Sequence, residues 1–548
     1  MSDVGRGRRE KAMTETVVDY IVVGAGTAGC IVAARLAVDP HVQVALLERG
    51  GMDSNPAIWA PDLPSMFSLW NPQGAENWGY TTTPQAGLGG RAIDIARGRV
   101  LGGSSAVNAM IYIRGNRRDF DGWAALGNAG WGYDEVLPYF RKSETYHGEA
   151  SPYHGDNGPL SVIGMHTPSI ASHAFIEAAA TLGAAQSYND FNGASQEAGA
   201  GFYQSTRTVD YVRVTAASAF VRPILDRTNF RLLTGVRTTR VLLENGRAVG
   251  VDYAAADGSV QTLRATREVI LCCGAFETPK LMMLSGLGPA AELSRHGIGV
   301  VADLPGVGGN LQDHMLLGVG YEATRPLDFA EMLAEAGLFL WTDAADRNAS
   351  PNLQYFFGPV EFVPDEYRTD GPGFTAAPIL AQPKSIGTVT LASADPAANA
   401  VVDPQYLSRD EDVAVFEYGI RYARELINAA AFNGMRGREL APGPDVTSGA
   451  DVRSYIRRVA STVWHPVGTC KMGPEGDGLA VVNDRLQVRG IDGLRIADAS
   501  VMPRLVNGNP NAAIMMIGEK AADFIRGDQP AGAFIPPIPE LATITEPS

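Results

Sequence analysis

An α/β fold is predicted, in which a dinucleotide-binding parallel sheet is interleaved along the chain with a second, smaller α+β domain built on antiparallel sheet. Three observations predict it. Residues 17–50 read VVDYIVVGAGTAGCIVAARLAVDPHVQVALLERG, where an apolar β-branched run, a G-x-G-x-x-G turn and an apolar helical repeat follow one another. A second apolar run, 42–47, ends in Glu48, roughly 20 residues beyond the last glycine. The chain has 548 residues, more than one ordinary core accommodates.

Each part of the first stretch has its own job in this Rossmann-like reading. Gly24 lets the chain turn, Gly26 lets backbone approach a pyrophosphate, and Gly29 lets helix and strand pack closely. Thr27 and Ala28 open the helix, whose free N–H groups and positive dipole end meet the phosphates. Glu48 takes ribose hydroxyls, and a carboxylate there favours FAD or NAD over NADP, whose extra phosphate it would repel.

Bulk properties narrow the partners. With 45% hydrophobic and 19% charged residues, the composition is that of a globular protein. A formal charge of −15 argues against nucleic acid or an anionic membrane, both of which need a basic face. No apolar h-region follows the basic Arg6, Arg8, Arg9 and Lys11, and no membrane span is expected. Cys30, Cys272, Cys273 and Cys470 make neither a disulfide framework nor a zinc spacing, so a cytoplasmic location and no metal are expected.

Residues 51–90, rich in Pro, Gly and Trp, read as long loop. Then 98–115 read GRVLGGSSAVNAMIYIRG, a second glycine-rich turn at Gly102, Gly103 and Ser104. Gly102-x-Ser104 is half of a hydrolase nucleophile elbow, but Ala106 stands at the last position and the dinucleotide site competes, so that reading ranks low. A helix within 123–142 has Asp134 as its N-cap, and an amphipathic helix covers 172–182. Strands at 230–236 and 240–243, an Asn245-Gly246 hairpin and 248–253 form a meander before the buried parallel strand 269–273. Strand-like 352–357 and 387–392 and a strong helix at 412–427 make the main body of the second domain. Near the end, Trp464-His465-Pro466 precedes the strand 494–496, and a helix at 512–526 starts after Asn511 as N-cap and stops at Gly527.

Four stretches, in order over residues 19–526, resemble the glucose-methanol-choline (GMC) oxidoreductase family of FAD enzymes. They are the first glycine turn with Glu48, Gly98 to Asn108, Gly274 to Gly288, and His465 with Asn509. The resemblance lies nearest to its choline dehydrogenase-like and aryl-alcohol or hydroxymethylfurfural oxidase branches. It implies FAD, with the cofactor domain at 17–154, 208–316 and 456–527 and the substrate domain at 155–207 and 317–455, and the Pro-rich composition of 528–548 reads as a mobile tail. His465 matches the active-site base and Asn509 the second active-site residue. Arg99, Gly102, Gly103, Ser104 and Asn108 match residues along the flavin, and Val236 a backbone contact to adenine. Gly274, Trp464, Asp498 and Ala499 are carried over with the cofactor, and Asn511 and Ala512 with the flavin pyrimidine. Val107 stands where some members carry a His that links FAD covalently, so non-covalent FAD is expected.

Alcohol oxidation removes a hydroxyl proton and a hydride, and since flavin takes the hydride, a base must take the proton. Histidine, whose side chain ordinarily titrates at about 6.5, suits that task. Asn509 holds the alcohol oxygen without titrating. Of the other histidines, His154 and His314 read as structural, and His41, His147, His166, His173 and His296 have no pattern. Trp464, Tyr355, Phe356, Phe357 and Phe362 suggest an aromatic-lined pocket, and with it the oxidation of a benzylic, allylic or furanic primary alcohol to an aldehyde, with O2 or another carrier as electron acceptor. The alternatives are choline or another alcohol as substrate, and an FAD-containing hydroxynitrile lyase.

Overall fold

The computed structural model describes residues 16–60, 62–184 and 186–527, so the basic residues from 6 to 11 and the tail at 528–548 lie outside the described residues. Strands β1 (Thr16–Val23), β2 (Val44–Leu47), β3 (Phe230–Leu233), β4 (Arg237–Glu244), β5 (Arg247–Ala254), β6 (Val260–Leu271) and β7 (Leu494–Ile496) form one sheet. Five of them run parallel in the order β3–β2–β1–β6–β7, with Tyr20 opposite Val44 and Val269 opposite Leu494. Buried on both faces, β2 and the C-terminal half of β1 read as continuous apolar runs, as parallel strands do, whereas the edge strand β3 is only partly covered. The N-terminal half of β6 pairs with the start of β1 on one side and antiparallel with β5 on the other, and β5 pairs with β4 through the Asn245-Gly246 turn. The expected strand at 230–236 thus divides: β3 joins the parallel layer through Phe230 and Val44, and the meander starts only at Arg237.

Helices α1 (Thr27–Leu36), α2 (Gly274–Leu284) and α3 (Asn511–Arg526) cover this sheet. A Cβ at Gly518 would meet Ala28 Cα at 3.1 Å, so α1 and α3 pack closely, and Arg35 of α1 bonds Glu519 of α3 inside the contact at 2.7 Å. Two expected caps differ. Pro510, not Asn511, precedes α3, because Asn511 Oδ1 accepts a hydrogen bond from Thr27 Oγ1 at 2.7 Å and the tertiary partner displaces the local one. The helix Tyr133–Ser143 is capped at Gly132 with Glu135 reaching back, leaving Asp134 in its first turn. The expected loop 51–90 contains the short helices Pro56–Trp59 and Leu63–Leu69, capped by Asn55 and Asp62.

A second sheet of nine strands runs in the order Arg436–Ala441, Val319–Ala323, Gly373–Leu380, Leu353–Gly358, Ala336–Leu340, Gly199–Phe202, Gln186–Ser187, with Met315–Leu316 and Ser461–Thr462 at its side. One face packs on the helices Ile170–Thr181, Asp410–Asn428 and Gly449–Val459 around a second apolar core. Strand alternation sends Tyr355 and Phe357 into that core and Phe356 to the opposite face. Among the described residues no helix is long and apolar enough to cross a membrane.

Candidate active site

A cleft opens at the C-terminal ends of β1, β6 and β7, the crevice where open α/β sheets bind ligands. Its floor is set by glycines. Gly24 has φ +98°, and a Cβ on Gly29 would lie 1.9 Å from Gly24 O, so the turn closes only with hydrogen at both positions. A Cβ on Gly103 would meet Gly26 Cα at 2.7 Å, and Gly102 N–H donates to Ala25 O at 2.8 Å. The second glycine-rich turn is therefore stacked on the first.

Gly24, Gly26, Thr27, Ala28, Glu48, Gly103, Ser104, Asn108, Val236, Gly274, Trp464, Asp498, Ala499 and Asn511 all line this cleft. Arg99 points elsewhere, donating from its exposed guanidinium to Ala75 O at 3.1 Å, while Gly29, Gly102 and Ala512 support the lining from behind. Glu48 accepts from Ala25 N–H at 2.9 Å and Gly50 N–H at 2.7 Å, and burial pushes its carboxyl up to about 7 against those bonds. Asp498 spends both oxygens inside the protein, on Gly274 N–H and Thr278 Oγ1 and on Ser500 N–H and Oγ. It ties the end of β7 to the start of α2 and so shapes the cleft.

At the other end stand His465 and Asn509, 3.2 Å apart between Nε2 and Nδ2. His465 N–H donates to Asp313 Oδ1 at 2.6 Å, and its Nδ1 lies 3.0 Å from Nδ1 of His314, a residue whose sequence context reads as structural. The tautomers follow from one carbonyl. Ala381 O can only accept, so His314 Nε2, 3.0 Å away, carries the proton; His314 Nδ1 is then an acceptor, and His465 Nδ1 is the donor. His465 Nε2 therefore carries no proton, and its lone pair accepts from Asn509 Nδ2–H at 3.2 Å. Burial holds His314 down to about 4, and burial with the neighbouring His314 and Arg97 holds His465 well below the usual histidine range, so both rings are neutral.

Past this pair opens a cavity of about 720 Å³, lined by apolar side chains including Trp70, Leu316, Leu317, Phe356, Phe362 and Val363. Trp464 stands at its entrance at φ +62°, its ring packed edge-to-face on Trp70 with 4.7 Å between ring centroids. Of the aromatic residues expected at the pocket, Phe356, Phe362 and Trp464 line it, whereas Tyr355 and Phe357 are core. Arg97, Arg49 and Arg237, which no sequence motif singles out, also line the cleft. The run ending in Asp313-His314 is visible in sequence as a turn, but its contact with His465 crosses more than a hundred residues.

A flavin dinucleotide fits the cleft. Two buried polar atoms lack protein partners at its opposite ends, Arg49 Nε beside Glu48 and Asn509 Oδ1 beside His465, and the glycine floor between them leaves room for a pyrophosphate. Fold and site together define a dinucleotide-dependent oxidoreductase acting on CH–OH donors. The GMC oxidoreductase family model matches residues 18–316 and its C-terminal counterpart residues 383–518, and the chain belongs to this family. An oxygen-dependent choline dehydrogenase of Brucella anthropi is 39% identical over 536 residues, covering 93% of this chain and 96% of that protein. Among solved structures, pyridoxine 4-oxidase from Mesorbium loti is 33% identical with a TM-score of 0.85, covering 93% of this chain and 100% of the other. A fungal aryl-alcohol oxidase is 25% identical with a TM-score of 0.80, covering 93% and 98%.

Proposed function

We propose that the protein binds FAD non-covalently and oxidises a neutral aromatic or furanic primary alcohol to its aldehyde, with His465 as base and Asn509 as its partner. The observation that carries the substrate class is the charge of the 720 Å³ cavity. Its one carboxylate, Glu361, accepts from Thr369 N–H at 3.0 Å and Thr369 Oγ1 at 2.9 Å, whereas Arg97 and Arg368 both border the space. A quaternary ammonium would meet two guanidiniums against one carboxylate there, and a flat neutral ring meets apolar walls. Val107, buried in an apolar cluster with Val100 and Ala106, has no atom able to bond flavin covalently.

Bound FAD supplies the hydride acceptor. The residues do the rest. The hydroxyl enters between His465 and Asn509, giving its proton to Nε2 while its oxygen accepts from Nδ2–H. His314 holds the imidazole in the tautomer that leaves Nε2 free. Glu48 and the glycine turns take the adenosine end.

An anaerobic panel of benzylic, furanic and choline-like alcohols tests the substrate class by bleaching of the flavin band. Benzylic or furanic alcohols bleach it at the lowest concentrations. Bleaching by choline alone, the outcome that likeness to choline dehydrogenases favours, overturns the class and leaves alcohol oxidation standing.

Two further results are expected. The base works when neutral, so activity is lost as pH falls through its pKa; because that pKa is depressed, the loss moves to more acid pH. Anaerobic flavin reduction accordingly stays flat from about pH 6.5 upward, and an acid limb centred above about 6.5 would contradict it. Glu48→Gln replaces one acceptor oxygen by a donor, and FAD affinity, read by fluorescence titration, drops about 10–100-fold. Unchanged affinity removes Glu48 from ribose recognition.

A further inference from the structure

A third space, of about 320 Å³, lies between the helix Arg117–Ala125 and the loop 188–198 that joins the strands Gln186–Ser187 and Gly199–Phe202. It shares no lining residue with the cleft or with the apolar cavity. Arg114, Arg117, Arg118, Asp121, Gln196 and Glu197 line it, three guanidiniums against two carboxylates. Two donors on these walls are unmet. Arg114 and Gln196 are 1% and 4% exposed, and Arg114 Nε and Gln196 Nε2 make no hydrogen bond among the described residues.

The other polar atoms around them are engaged. Arg114 Nη1 donates to Tyr153 O and Nη2 to Glu144 Oε2 at 2.5 Å, with the Tyr112 and Tyr133 hydroxyls near the guanidinium. Gln196 Oε1 accepts from Asn116 Nδ2 at 3.5 Å, which turns Nε2 away from that residue. Glu197 accepts from Arg118 Nη1 and from Asn116 Nδ2 at 2.8 Å, and Asp121 Oδ1 accepts from Tyr133 N–H at 2.9 Å. Arg117 and Arg118 stand at the mouth, their side chains 44% and 37% exposed, in ion pairs with Asp134 and Glu197.

We propose that this space is a second binding site, for a small tetrahedral oxyanion: inorganic phosphate or the phosphate group of a metabolite. A buried donor left unmet is costly, so a partner that only accepts completes the walls. Arg114, the start of the helix and the loop 188–198 present donors from three directions, which suits a tetrahedral group better than a flat carboxylate. The positive end of the helix Arg117–Ala125 and the two guanidiniums at the mouth favour an anion along the way in. Bound there, the oxyanion ties that helix to the edge of the nine-stranded sheet. A Cβ on Gly115 would meet Val506 Cβ at 3.1 Å, so the site backs onto the loop that leads to Asn509.

The test uses the FAD-loaded protein, so that the pyrophosphate cradle of the cleft is filled and competes for no phosphate. Wild type is compared with Gln196→Glu, which keeps the side-chain size and replaces the free donor by an acceptor. Calorimetric titration at constant ionic strength is run with inorganic phosphate, glycerol 3-phosphate and acetate. Wild type is expected to bind inorganic phosphate saturably with a Kd of about 1 mM or tighter, Gln196→Glu about tenfold or more weakly, and acetate to give no saturable heat. Glycerol 3-phosphate binding about tenfold tighter than phosphate assigns the site to a phosphorylated metabolite, and equal or weaker binding assigns it to free phosphate. Should Gln196→Glu fail to fold, wild-type crystals soaked in selenate decide, because anomalous scattering places the selenium: a peak within hydrogen-bond distance of Arg114 Nε and Gln196 Nε2 upholds the site. No saturable binding of phosphate by wild type, equal affinity in Gln196→Glu, or ordered water alone beside Arg114 and Gln196 in the soaked crystal overturns the proposal.

Discussion

His465→Ala lowers the rate of flavin reduction by alcohol about 10²–10⁴-fold while the protein keeps its flavin band. The size follows from the scarcity of other bases. Arg97 cannot lose a proton at working pH, Asn509 does not titrate, and His314 commits Nε2 to Ala381 O and Nδ1 to His465. No other group between cleft and cavity offers a basic lone pair beside Asn509. FAD is retained because the glycine turns and Glu48, which hold the far end of the cleft, are untouched. The measurement is anaerobic stopped-flow at saturating alcohol, and an unchanged rate would take His465 out of the mechanism.

His314→Phe lowers the same rate about 10²-fold, although His314 lines neither cavity. Phenylalanine fills the buried site but accepts no hydrogen bond, so His465 Nδ1–H loses its partner and the opposite tautomer, which turns an N–H toward the alcohol, becomes as favourable. The expected loss lies between that of an orienting partner and that of a fully wrong tautomer. His314→Gln restores an acceptor and recovers part of the rate. A purely structural role would lower the melting temperature and leave the His465 ring signals in ¹⁵N spectra unchanged, whereas a positioning role exchanges the protonated nitrogen. His314→Phe with wild-type rate and wild-type ring signals would end the argument.

The parallel sheet and its cofactor turn were legible because their signals are local. An apolar run, three glycines at fixed spacing and a carboxylate closing the next strand are read within some thirty residues, and the glycine spacing works because Gly24 O leaves no room for a Cβ at Gly29. His465 and Asn509 were legible by the family pattern along the chain. What faces what was not. Periodicity places Tyr355, Phe356 and Phe357 on a strand, but which side a helix covers and which side a cavity meets depends on the helix Asp410–Asn428 arriving from elsewhere.

The caps show the same limit. Asn511 is a good local N-cap by type, yet Thr27, 484 residues away in sequence, takes its side chain. The sequence by itself determined the α/β class, the glycine cradle and the order of the motifs, since these depend on steric and chemical rules acting between near neighbours, while the family pattern singled out His465 and Asn509, which the structure brings together at 3.2 Å. Only the tertiary structure decided that His314 fixes the tautomer of His465. That depends on two side chains 151 residues apart meeting in a buried space, where a single hydrogen bond outweighs any local preference.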